Sequence, residues 1–189
     1  MVVTTQLEDV FLLKTNEYKD TRGSFKEAFN LKTFEEYIGK KINFCQDNIS
    51  VSRRGVIRGL HYQLDPFSQS KLVSVISGKV LDIVVDLREG SPSFGKHLAQ
   101  ELSDENGFQL FIPRGFAHGY ITLSENSIFH YKVDGYYHPE SDSGIAANDS
   151  TLGINWQIPE SEWVQSEKDK NRPSFGDATL FNYKSDLYG

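Results

Sequence analysis

Short apolar and β-branched runs, separated by turn-forming residues, occupy most of this 189-residue chain. That pattern belongs to strands rather than helices. It predicts nine strands, at 10–14, 23–29, 44–52, 72–77, 80–87, 97–102, 108–112, 119–123 and 127–133. The run Val80-Leu-Asp-Ile-Val-Val-Asp-Leu87 is rich in β-branched residues, and Ser77-Gly78-Lys79 before it predicts a tight hairpin with the preceding strand. In 127–133 alternate residues share a face, so Phe129, Tyr131 and Val133 point one way. The segment 31–38 breaks the pattern and predicts a helix, capped by Asn30 and ended by Gly39. A second short helix is expected near 159–164, because proline favours a first helical turn. The stretches 89–93 and 142–150 read as loops. Nine strands at this spacing predict an all-β sandwich or jelly roll.

The length suits a single domain over 1–189, with ample chain for a core. Composition adds three bounds. Net charge is −6, which argues against nucleic acid as a partner, yet Arg53, Arg54, Arg58 and Lys71 cluster locally and suggest a small anionic ligand. Cys45 is the only cysteine, so no intrachain disulfide can form; it reads as a small buried hydrophobe. The apolar runs are short and interrupted by Asp82 and Asp86, and no basic leader precedes an apolar core, so the expectation is a cytoplasmic protein without a membrane span.

The chemistry concentrates around His61. Gly55, five residues, His61-Tyr-Gln63, then Lys71 six residues before Gly78 resembles the metal-binding cupin signature with its second histidine replaced by Gln63 and its glutamate by Lys71. A cation cannot help hold a divalent metal, but it can hold an anion or an enolate oxygen. Gly107, five residues, Pro113-Arg-Gly115 and His118 keep the second half of the signature, so the scaffold reads as intact and the metal set as incomplete. His61 is then a candidate base, since imidazole titrates near ~6.5 and a carboxylate on its other nitrogen would fix the tautomer. Tyr131 is either core packing or a proton donor. His97 and His138 read as surface residues. The run Ser166-Glu-Lys-Asp-Lys170 is on its own merely a charged face.

Together, Arg58-Gly-Leu-His61-Tyr-Gln, Pro113-Arg-Gly-Phe-Ala-His118-Gly and Tyr131-Lys-Val-x-x-Tyr-Tyr137 resemble the dTDP-4-dehydrorhamnose 3,5-epimerases, metal-free cupins of deoxysugar biosynthesis. The resemblance runs from about Asp20 to Asp169. It implies a cupin-type double-stranded β-helix with short peripheral helices, no cofactor, and a dTDP-4-keto-6-deoxy sugar as substrate. It implies His61 as base, Tyr131 as acid, Lys71 at the enolate oxygen and Asp169 as the partner of His61. Arg22, Glu27, Gln46, Asn48, Arg58, His118 and Lys168 match substrate-contacting positions, Tyr137 the ring that stacks on thymine, and Asp142 a position near the base-binding loop where many relatives carry glutamate. Ala147 stands where an aromatic is usual. A homodimer, often with strands exchanged near the N-terminus, is implied as well. An epimerase acting at C3 alone or C5 alone would share this base, acid and scaffold, whereas a noncatalytic sugar-binding cupin would need no opposed acid and base.

Overall fold

The computed structural model describes residues 2–188. Two sheets face one another. The larger holds, in spatial order, β1 (Val2–Thr4), β2 (Phe11–Lys14), β11 (Phe108–Ile112), β7 (Lys71–Ser77), β13 (Asn126–Val133) and β5 (Gln46–Arg53). The smaller holds β10 (His97–Ser103), β8 (Lys79–Asp86), β12 (Phe116–Thr122), β6 (Ile57–Gln63) and β14 (Asp142–Gly144). Two small pairings flank them: the hairpin β3 (Glu17–Asp20) with β4 (Gly23–Lys26), and β9 (Arg88–Glu89) with β15 (Phe181–Asn182). This is the expected all-β cupin-like sandwich.

Three apolar layers explain the sequence pattern. Val73, Val75, Val84, Leu110, Tyr120 and Phe129 fill the space between the sheets. Leu81, Ile83, Val85 and Ile121 point to the other side of the smaller sheet, where Ile145, Trp156, Ile158 and Phe181 cover them. β8 is therefore buried on both faces, which is why it reads as a nearly continuous apolar run. Helix α1 (Leu31–Ile38) lays Phe34 and Ile38 on Leu13, Leu72 and Phe111, outside the larger sheet. Asn30 accepts a bond from the Thr33 N–H, and Gly39 ends the helix at φ 72°, as the sequence predicts.

Several expectations are corrected. Ser77-Gly78-Lys79 does not close a hairpin: β7 and β8 lie in different sheets, and Gly78, at φ 83°, turns the chain across the sandwich against the backbone of Asn126. A short glycine turn between two β runs serves such a corner as well as a hairpin. The strand predicted at 23–29 stops at Lys26, and the one predicted at 119–123 begins at Phe116. β6 was hidden by its polar and glycine positions, and β14, within the expected loop 142–150, forms because the edge of β6 is open to pairing. The segment near 159–164 holds only a 3₁₀ turn, Glu160–Glu162, while a one-turn helix α2 (Glu167–Lys170) follows. Cys45 is exposed, since it precedes β5 at the sheet edge and packs only its thiol toward the Val133 carbonyl, at 3.7 Å.

Candidate active site

His61 and His118 stand opposite each other where β6 pairs with β12. Their strands approach closely because Gly59 and Gly119 meet backbone to backbone; a Cβ on Gly59 would lie 2.5 Å from the Gly119 Cα. Both histidines line a cavity of about 610 Å³ between the sheets, a volume typical of ligand pockets. Arg58, His61, His118 and Tyr120 come from the smaller sheet, and Ser50, Lys71, Phe129 and Tyr131 from the larger.

Asp169 reaches His61 from α2. Ser166 caps that turn by accepting the Asp169 N–H at 3.1 Å, and Asp169, only 5% exposed, accepts a bond from His61 Nε2 at 2.5 Å. Burial opposes ionisation of the carboxyl, but the hydrogen bonds from His61 and Ser166 outweigh it and hold Asp169 below the usual carboxylate range. An ionised carboxylate only accepts, so Nε2 carries the proton and the Nδ1 lone pair of a neutral His61 is left for chemistry.

The second histidine has a different partner. His118 Nε2 contacts Asp82 Oδ2 at 2.9 Å, and both side chains are buried. Burial drives the His118 pKa down, against the pull of Asp82, so this imidazole is neutral. Burial likewise raises Asp82, whose Oδ1 has no hydrogen-bond partner among the described residues. Lys71 is desolvated to a pKa of about 8 although Asp82 and Asp142 favour its charge. Its Nζ donates to the His61 carbonyl at 3.4 Å. Tyr131 is raised, first by burial and then by Tyr120, and so keeps its phenolic proton at neutral pH.

Tyr137 and Lys168 line the mouth of the same cavity. Asp142 accepts from Lys168 at 2.7 Å and from Arg172 at 2.5 Å, tying α2 to β14. Burial opposes its ionisation, yet these cations hold its carboxyl low. Arg58 donates to the Ser52 hydroxyl at 3.1 Å. Nine of the thirteen expected residues thus meet in one cavity: His61, Tyr131, Asp169, Lys71, Arg58, His118, Tyr137, Asp142 and Lys168.

Four do not. Gln46 and Asn48 lie on β5, bonded to each other at 2.8 Å, with Asn48 paired to Tyr131 but outside the cavity lining. Arg22 is exposed on the β3–β4 hairpin and bound to Asp20 at 2.6 Å. Glu27 lines a separate groove beside α1. Conversely, Asp82 and Arg172 were missed. Asp82 carried a signal, an acid on the inward-facing side of an apolar strand; Arg172 carried none beyond lying near Asp169. Arg53 and Arg54 of the basic cluster stay exposed and outside the cavity. His138 is half-buried and stacks on Phe67 at 3.8 Å rather than standing free on the surface. Ala147 is core, its carbonyl accepting from Trp156 Nε1 at 2.8 Å, so the departure there belongs to packing.

A sequence profile described as dTDP-4-dehydrorhamnose 3,5-epimerase matches residues 4–177. A protein of that name from Shigella flexneri is 45% identical over 180 residues, covering 95% of this chain and 98% of the relative. Among solved structures, the dTDP-6-deoxy-D-glucose-3,5-epimerase of Legionella pneumophila Philadelphia 1, in complex with dTDP-4-keto-L-rhamnose, superposes with a TM-score of 0.94 at 41% identity, over 98% of this chain and 99% of that one. A 3'-monoepimerase from Streptomyces bikiniensis, in complex with dTDP-quinovose, superposes with a TM-score of 0.89 at 28% identity, over 95% and 92%.

Proposed function

Because this chain belongs to the dTDP-4-dehydrorhamnose 3,5-epimerase family, we propose that His61 and Tyr131 invert C3 and C5 of dTDP-4-dehydro-6-deoxy-D-glucose, giving dTDP-4-dehydro-L-rhamnose. The protein is an isomerase of the dTDP-rhamnose route. One observation supports the assignment of roles: a carboxylate-backed histidine on one sheet and a protonated tyrosine on the other line the same cavity, and the Lys71 ammonium lines it with them.

The C4 ketone acidifies the hydrogens on C3 and C5, since either carbanion delocalises onto the oxygen. His61 takes the proton at Nδ1 while Asp169 stabilises the imidazolium that develops. Lys71 faces the oxygen on which charge accumulates. Tyr131 returns a proton from the opposite face, so configuration inverts and no net oxidation occurs. Arg58 and Lys168 serve the diphosphate, and Tyr137 the base.

A second copy completes the reading. β5 is an edge strand whose Ile49 and Val51 are 64% and 67% exposed, and the β3–β4 hairpin exposes Tyr18 and Phe25. A homodimer covering these residues accounts for Arg22 and Glu27 lying away from their own cavity, as groups offered to the partner's. We take residues 1–189 as one domain. No helix among the described residues is long and apolar enough to cross a membrane; a water-soluble nucleotide-sugar substrate makes the cytoplasm the proposed location.

The test is incubation with dTDP-4-dehydro-6-deoxy-D-glucose in deuterated water, followed by NMR. Deuterium at both C3 and C5 with inversion at each is expected. Label at C3 alone would assign a monoepimerase, and no label would remove the activity.

A further inference from the structure

Gln63, at the position where the cupin signature carries its second metal-binding histidine, does not line the cavity. It is 5% exposed at the end of β6, and its carboxamide is fully engaged. Nε2 donates to the Phe67 carbonyl at 2.8 Å and to the Tyr136 carbonyl at 3.4 Å, while Oε1 accepts the His138 N–H at 2.6 Å. The last two groups belong to the residues on either side of Tyr137. Around them, Gln69 donates to the Gly135 carbonyl at 2.6 Å, and the His138 ring lies flat on Phe67. The Tyr137 ring itself, 52% exposed, makes no hydrogen bond or ring stack among the described residues; its phenol interacts only electrostatically with Lys168, which leaves the backbone on either side as the directional constraint on its aim.

We infer that Gln63 is a positioning residue for nucleotide affinity, acting through the backbone on either side of Tyr137 to hold that ring as a preformed platform for the base. The inference rests on the reading of Tyr137 as the stacking ring. A carboxamide suits the task because one planar group donates and accepts at once. A histidine bound to a metal here would have committed a lone pair elsewhere. The residue that left the metal set has therefore been turned to fixing the ligand's far end. A platform held before binding spares the ligand the cost of ordering it.

The test is a double-mutant cycle of Gln63→Met and Tyr137→Ala, measured as dTDP affinity by calorimetry alongside kcat and KM. A stacked base contributes roughly five- to hundredfold in affinity, so Tyr137→Ala is expected to fall in that range. Gln63→Met should weaken dTDP about tenfold and raise KM with kcat within about twofold, a split that general loss of fold would not give. In the Tyr137→Ala background the same substitution should cost under about twofold. Equal losses in both backgrounds, or a fall in kcat at unchanged affinity, would overturn the clamp while leaving Tyr137 as the platform. Wild-type dTDP affinity in Tyr137→Ala alone would remove the platform and the clamp with it. Should Gln63→Met fail to fold, Gln63→Glu keeps the acceptor for the His138 N–H but turns an oxygen on the Phe67 and Tyr136 carbonyls, and should give a loss of the same kind.

Discussion

His61 and His118 are cross-strand neighbours that bind different carboxylates: His61 holds Asp169, and His118 holds Asp82. In a metal-binding cupin two histidines so placed would share an ion. Here Nε2 of each is directed at its own acid, and Lys71 lies in the same cavity. Among the described residues no group of three His, Cys, Asp or Glu side chains is arranged to hold a metal. Turnover is expected to survive exhaustive chelation, measured on protein checked for residual metal. Restoration of lost activity by a stoichiometric divalent ion would contradict the assignment of roles.

Asp169→Asn replaces a charge with an amide of the same shape. It should leave the melting transition nearly unchanged, because Ser166 still caps α2 through the backbone. Without the carboxylate the imidazolium loses its partner, and kcat should fall by ~10²–10⁴-fold. Wild-type turnover in this variant would return the segment after Ser166 to a solvated face.

Tyr131→Phe removes the proposed acid and keeps the ring against Phe129, 6.2 Å away between centroids. His61 can still take a proton and return one drawn from solvent to the same face. Solvent exchange at C3 and C5 should therefore outpace inversion, followed by NMR in deuterated water. His61→Asn should abolish both. Parallel loss of exchange and inversion in Tyr131→Phe would make the tyrosine structural.

Lys71 titrates at about 8, so its charge is present below that pH and lost above it. If its ammonium faces the enolate, kcat should decline through the pH 8 region on the alkaline side. Asp82 favours the charged lysine, so Asp82→Asn should move this limb to lower pH. A limb that stays in place in Asp82→Asn would show that another group controls it.

Ile49→Glu places a charge in the exposed centre of β5 without touching the sandwich core. Light scattering should report a dimer for the wild type and a monomer for the variant. Activity should fall with the dimer, because Arg22 and Glu27 would then lack a partner's cavity. A wild-type monomer with full activity would sink the proposed assembly.

The fold was legible where burial is one-sided or complete: β8, β13 and α1 stand close to where periodicity and capping placed them. β6 was not, because its inward positions hold Arg58, His61 and Gln63 instead of apolar residues, and the chemistry itself masks the strand. The turn at Gly78 misled because local backbone geometry does not say which sheet receives the next strand. The grouping of His61, Lys71, His118 and Tyr131 in one cavity was legible through motifs. Asp169 gained its role only from resemblance, although Ser166-Glu-Lys-Asp169 has the spacing of a helix cap, which signals a folded turn rather than a loose charged tail. Arg172 stayed hidden because only tertiary contact brings it to Asp142.

Tyr120 in β12 stacks on Phe129 in β13 at 4.2 Å, and its hydroxyl reaches Ser50 in β5 at 2.8 Å, fastening one sheet to the other in the wall of the cavity. The proposed base, His61, and the proposed acid, Tyr131, ride on opposite sheets, so the gap between them is set by the thickness of the sandwich at that point. The handedness of the product is thereby tied to a mechanical dimension. A packing change that draws the sheets together or lets them part, remote from every reacting atom, alters which proton transfer lies within reach. On the proposed roles, stereochemistry in this molecule would be in part a property of its core.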